Sequence, residues 1–343
     1  MTLPANRLGL ARSLAAVPLV LALAGCGAHV AALAPGASGG AQIANGVSFD
    51  TSGWTTNFGR HRVPLSSISS GGPGRDGIPP LDHPRFVPAA TAQSLGPGEP
   101  VIAVAIAGQA RGYPLAILVW HEIVNDTLAG QPIAVTYCPL CNTSIVYSRR
   151  VAGRLLTFGT TGNLRNSDLV MWDRQTQSWW QQFDGSAIVG ALTGAQLTAL
   201  SSETLSFADF RARFPQGSVL SRQTGFDRPY GQNPYVGYDE PNQRPFLYSG
   251  RLDPRLPPLE RVETISVGAD TVVVPFDALR HHPVTALTVH GLRGRDLCTQ
   301  RRLAAGREIY SRLACRRHGC GVRSQTGRPD AELHLIGTGD RLG

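Results

Sequence analysis

The chain has 343 residues, 42% of them hydrophobic, with 32 Lys plus Arg against 24 acids and a formal net charge of +8. Every basic residue of that pair is Arg, and residues 280–343 alone hold twelve Arg against five acids, so the body is near neutral and no nucleic-acid partner is expected for it. No segment after the leader reaches the roughly 18 apolar residues of a membrane helix, while abundant Pro and Gly with few periodic helices point to a β-rich body.

The N-terminus opens with Arg7 and Arg12 and continues into an apolar run, Leu14 to Ala24. About ten apolar residues make a signal-peptide core and are too few to span a bilayer. The run ends in Leu23-Ala24-Gly25-Cys26, which resembles the lipobox of bacterial lipoproteins. The resemblance implies cleavage of residues 1–25 and a lipid on Cys26. The expected location is therefore the extracytoplasmic side of the cell membrane, with the membrane as a partner through the lipid and an envelope protein or small molecule as a further one. Residues 26–45 are rich in Gly, Ala and Pro and read as a flexible stalk.

Residues 46–100 carry breakers at Gly71-Gly72-Pro73-Gly74 and Pro79-Pro80, and are expected to be a loop-rich lead-in with order beginning near Val101. Residues 101–258 form the main unit. Val101–Ala107 and Ala110–Tyr113 read as strands about a Gly108-Gln109 turn, and Pro114 opens a short helix to about Trp120. A meander follows: Glu122–Leu128, Pro132–Tyr137, the Cys138–Cys141 corner, Thr143–Val151 and Arg154–Gly159. Residues 206–214 predict a helix, with Ser206 as cap, Phe207, Phe210 and Phe214 on one face, and Pro215 as stop. Residues 221–258 are an irregular Pro/Gly/Tyr-rich stretch.

Residues 259–343 read as a second unit with an Arg-rich tail. Val101–Leu118 aligns without a gap on Val262–Leu279, an offset of 161, and Thr127 and Gly130 match Thr288 and Gly291. The second copy lacks Asn125-Asp126 and any Cys-X-X-Cys, which marks it as a degenerate duplicate left as scaffold. The expected fold class is thus α+β and β-rich, with antiparallel meanders in two related units and few short helices.

Cys138-Pro139-Leu140-Cys141 is the sharpest chemical feature. Two thiols at this spacing serve as a metal half-site, a redox disulfide or a structural pair. A thioredoxin-type pair sits where a strand runs into a helix. Here Thr143–Tyr147 reads as a strand, so the corner is a knuckle, with Asn142 accepting the positive φ that such a turn wants. His121 enters the meander beside the strand leading to Cys138. Cys138, Cys141 and His121 are therefore the candidate ligands, and such a set suits copper or zinc. A packed, hydrogen-bonded His121 is the alternative. Outside the cytosol the thiols also suit a thiol–disulfide protein.

A second candidate surface is Asn163–Gln182. Asn166, Asp168, Asp173 and Arg174 alternate with Trp179, Trp180 and other apolar residues, as in a cleft for a ligand or a wall glycan. Asp227 and Arg228 supply a second wall. The other reading is a half-buried sheet with aromatic pairs. Asp168 and Asp173 are also a candidate acid–base pair. No phosphate loop, nucleophile elbow or His-Glu-X-X-His is present, and whether the protein is an enzyme stays open.

Five ordered motifs carry a family resemblance. They are Trp120-His121-Glu122-Ile123-Val124-Asn125-Asp126, Tyr137-Cys138-Pro139-Leu140-Cys141, the stretch from Asn163 to Thr176, Ser178-Trp179-Trp180-Gln181-Gln182, and Thr224-Gly225-Phe226-Asp227-Arg228-Pro229-Tyr230-Gly231. Together they resemble the domain-of-unknown-function family 3179 over about residues 80–280. That family commonly has Gly where Asn142 stands, and it continues its second unit with an Asn-Asp-like segment where this chain has Thr285-Ala286-Leu287. A reading-frame change near residue 285 is the expectation drawn from that contrast.

Overall fold

The structure, a computed structural model, describes residues 47–267 continuously and, beyond them, the segments 270–281, 284–289, 292–304, 307–312 and 334–336. The leader, Cys26 and the stalk lie outside the described residues. The predicted β-rich body with few short helices is what the chain forms. Three sheets built from antiparallel neighbours, with one parallel pair, make the main body.

The middle sheet pairs Ile123–Leu128, Gln131–Cys138, Thr143–Ser148 and Ala199–Leu200 in that order. Side chains alternate across a strand. Ala134 and Cys138 face one core with Ile145, Tyr147, Met171 and Trp180, while Ile133, Val135 and Tyr137 face another with Ile102, Tyr113 and Val124. Burial on both faces explains the unbroken Ile-Ala-Val-Thr-Tyr-Cys run where a half-exposed strand would alternate apolar with polar residues.

One flanking sheet runs Ile68–Ser70, Phe158–Arg165, Asp168–Asp173, Trp179–Gln181 and Ala187–Val189. The other runs Glu203–Ser206, Pro100–Ile106, Gln109–Pro114, Ser218–Leu220 and Phe86–Pro88. The predicted helix is Phe207–Arg213, and Ser206 Oγ caps it by accepting from Asp209 N at 3.1 Å. Pro114 precedes the single-turn helix Leu115–Leu118.

In the lead-in, order begins well before Val101. The segment is packed and contributes to the core from its first described residues: Phe49, Phe58, Leu65 and Ile68 are buried with Trp179 and Val170. The apolar residues there are spaced without a period, each filling one gap, so no pattern announces them. Gly162 shows how closely the segment is laid down. At φ +76°, a Cβ on it would stand 1.8 Å from the Pro73 carbonyl oxygen.

The strand–strand–helix–strand–strand order of the main unit recurs in the second. Gln109–Pro114, Leu115–Leu118 and Ile123–Leu128 correspond to Asp270–Pro275, Phe276–His281 and Val284–Val289, each starting 161 residues later. The first hairpin keeps its register too: Val101 opposes Pro114, and Val262 opposes Pro275.

Candidate functional site

The corner is a strand–turn–strand knuckle. Cys138 ends its strand opposite Thr143, Asn142 N donates to Pro139 O at 3.4 Å, and Asn142 adopts φ +47°. Tyr137 OH donates to Asn142 Oδ1 at 3.1 Å, and Thr143 Oγ1 donates to Cys141 O at 3.0 Å. Both thiols are free and buried.

The third member of the group comes from the flanking sheet. Arg165 and Asp168 oppose each other across Asn166 and Ser167, whose φ values of 52° and 66° make a type I′ hairpin turn. That turn delivers a fully buried Asp168 to the corner. Cys138 Sγ, Cys141 Sγ and an Asp168 carboxylate oxygen all lie within 4.8 Å of one another. Cys141 Sγ donates to Asp168 Oδ1 at 3.1 Å. The other oxygen, Oδ2, accepts from Gln181 Nε2 and from Phe183 N at 3.0 Å. Burial first, then the neighbouring Cys138, then the Asp168 charge hold the Cys141 thiol well above its ordinary value. This is the reverse of what an attacking thiolate needs.

His121, expected beside the thiols, is engaged elsewhere. Its Nδ1 lies 2.7 Å from Pro79 O and its Nε2 lies 2.6 Å from Tyr230 OH. A carbonyl only accepts, so Nδ1 carries the proton and Nε2 accepts from Tyr230. Thr224 Oγ1 lies 2.5 Å from the same hydroxyl, and Phe226 packs on the imidazole at 5.3 Å. The Thr224–Tyr230 motif is thus a latch closed over a buried imidazole. Burial and the Arg228 charge lower the His121 pKa, against an opposing effect of its Pro79 bond. Asp227 is exposed, and neither it nor Arg228 joins the thiol group.

The aromatic stretch is core. Trp179 and Trp180 are fully buried, so they do not line an open cleft. Trp179 packs on Phe49, Trp54 and Phe58 with ring centroids 5.0–5.1 Å apart. Trp180 Nε1 donates to Asp173 Oδ2 at 2.9 Å, and Asp173 also accepts from Thr176 N at 2.6 Å. Asp168 and Asp173 stand at opposite ends of one strand, about 17 Å apart at ~3.4 Å per residue. That exceeds the span of a glycosidase carboxylate pair. Arg174 bonds Asp82 and Asp76, tying the lead-in to the body. Asn125 donates to Asp82 of the lead-in at 2.8 Å and joins two sheets by exchanging bonds of 2.8 and 2.9 Å with the Phe158 backbone.

One residue of the first motif is a site residue that the sequence does not single out. Glu122 is 6% exposed, at φ +57°, and burial followed by the Asp168 charge pushes its pKa up to about 8. It lines a pocket of ≈ 390 Å³ together with Leu140 of the knuckle and with Tyr235 and Tyr238 of the irregular stretch. Tyr238 OH reaches Ser167 Oγ at 3.4 Å, next to Asp168. A lone acid within an otherwise apolar strand entry was the available signal. The tyrosines offered none beyond their abundance.

Fold and site define a β-rich protein in which a Cys-X-X-Cys knuckle on one sheet meets a buried carboxylate from the next. This chain belongs to the family described as proteins of unknown function DUF3179, whose model matches residues 75–312. The match continues past residue 285, where the sequence pointed to a change of reading frame. No curated protein and no solved structure matches the chain.

Proposed function

We propose that this protein is an exported lipoprotein, held to the membrane through Cys26, that binds a thiophilic metal ion with Cys138, Cys141 and Asp168. The observation that carries the metal reading is the convergence of two thiols and a carboxylate within 4.8 Å in a buried corner. A tetrahedral zinc site with Zn–S of about 2.3 Å sets its ligand atoms roughly 3.5–3.8 Å apart. Small rotations of three side chains reach that spacing. The position of Asp168 also bears on the metal. Carboxylate with thiolate suits zinc, whereas copper(I) prefers wholly soft partners. Zinc is therefore the first choice and copper the second.

Binding zinc displaces the proton that Cys141 holds, so affinity rises with pH. The test is an anaerobic zinc titration of reduced protein against a competing chelator. We expect one equivalent bound, a loss of 100-fold or more for Cys141→Ser, and about 10- to 100-fold for Asp168→Asn. Equal affinities in all three proteins would overturn the reading. The thiol–disulfide reading predicts a low-pKa thiol at the first cysteine, and the corner runs into the strand Thr143–Ser148, so no helix N-terminus is there to lower one. The wall-binding reading needs accessible Trp179 and Trp180, which are in the core.

A further inference from the structure

The pocket beside the knuckle holds a feature that metal binding does not use. Its ≈ 390 Å³ lies within the range of small-molecule sites. Ile78, Leu164 and Leu169 line it with aliphatic surface, and Tyr235, Tyr238 and Phe246 with aromatic rings. Among the described residues that line it, Glu122 is the only carboxyl, and no Arg or His is present. The residue is 6% exposed, no hydrogen bond to its carboxyl occurs among the described residues, and its oxygens are not wholly sealed in, so what access they keep is at the pocket it lines. At the rim, Val236 is 83% exposed and Phe246 45%, so apolar surface leads from solvent to the acid.

We propose that this pocket binds a small organic ammonium ion with an apolar body, its nitrogen bonded to Glu122. Burying an unpartnered carboxyl is costly, and a ligand that supplies a donor removes that cost. A cation does so best. The Asp168 charge already acts on Glu122, so the local field disfavours an anion. The aromatic rings add cation–π attraction, and the aliphatic wall takes the hydrocarbon part. One feature of the chain fits a ligand site: the pocket stays open beside a packed core. The inference does not depend on a metal.

Calorimetry on reduced full-length protein at pH 8.5, where the Glu122 carboxyl is ionised and a primary amine is still protonated, tests it, with 2-phenylethylammonium as cation, 2-phenylethanol as neutral analogue and 3-phenylpropionate as anion. The ammonium is expected to bind at least tenfold tighter than the alcohol, and the anion weaker than both. Glu122→Gln is expected to abolish the preference for the cation while leaving the alcohol within about twofold, which also reports that the variant is folded. Val236→Arg, at the exposed rim, is expected to weaken the ammonium alone. Cys141→Ser separates the pocket from the metal corner and is expected to keep the cation preference. Equal binding of cation and alcohol, indifference to both Glu122→Gln and Val236→Arg, or loss of cation binding only in Cys141→Ser would each overturn the proposal.

Discussion

At Glu122 burial keeps a proton on a carboxyl that the unfolded chain releases at 4.5, while the folded chain holds it to about 8. Between those values the native state binds more protons than the unfolded state, so stability falls as pH rises and levels off above about 8. The full effect integrates to at most about 4–5 kcal/mol. Urea unfolding at pH 5 and pH 8.5 should show this fall in the natural chain and a much shallower one in Glu122→Gln. Parallel slopes would contradict the assignment. At the same scale, the two thiols were legible from their spacing, and the knuckle from the strand after them and Asn142. The third donor was not. His121 and Asp168 were both in view, but neighbourhood along the chain favoured His121. The choice rested on a long-range packing of two sheets, and on a Pro79 carbonyl and a Tyr230 hydroxyl that claim both nitrogens of the imidazole.

Strand and helix positions follow closely from local signals, because turns at Ala129-Gly130 and Ala152-Gly153, with positive φ at each residue, punctuate the meander. The packing of the lead-in against the Trp stretch is not legible in the sequence, for one shared reason. Each buries its aromatics against the other, and neither has a period that reveals its partner. Two predictions follow from that packing. Trp179→Ala should destabilise by about 3–5 kcal/mol, read as a lower denaturation midpoint. It should act through stability alone, with no separate loss of glycan retention in the fraction that stays folded. Gly162→Ala places a Cβ against backbone at a positive φ, and on the order of 2–4 kcal/mol should be lost. A midpoint unchanged from the natural chain would show that the lead-in is not seated on the sheet as described.

At the scale of the whole molecule, the repeat at an offset of 161 residues joins a unit with a chemical corner to one without it. The second copy keeps the hairpin, the short helix and the next strand, while its equivalents of Cys138 and Cys141 are Thr299 and Arg302. Function is thus expected from the first copy alone. The proposed anchor at Cys26 sets where that function operates: Cys26→Ser should move the protein from the membrane fraction to the soluble one, and unchanged membrane association would remove the lipid from the account. On the proposed export, the dithiol is exposed to oxidation unless something holds it. Zinc held by two thiolates and a carboxylate answers that need. X-ray absorption at the zinc edge of the metal-loaded protein tests this most directly. We predict two sulfur neighbours at about 2.3 Å with oxygen at about 2.0–2.2 Å and no imidazole scattering. An imidazole signature, which would return His121 to the site, or a shell without sulfur would contradict it.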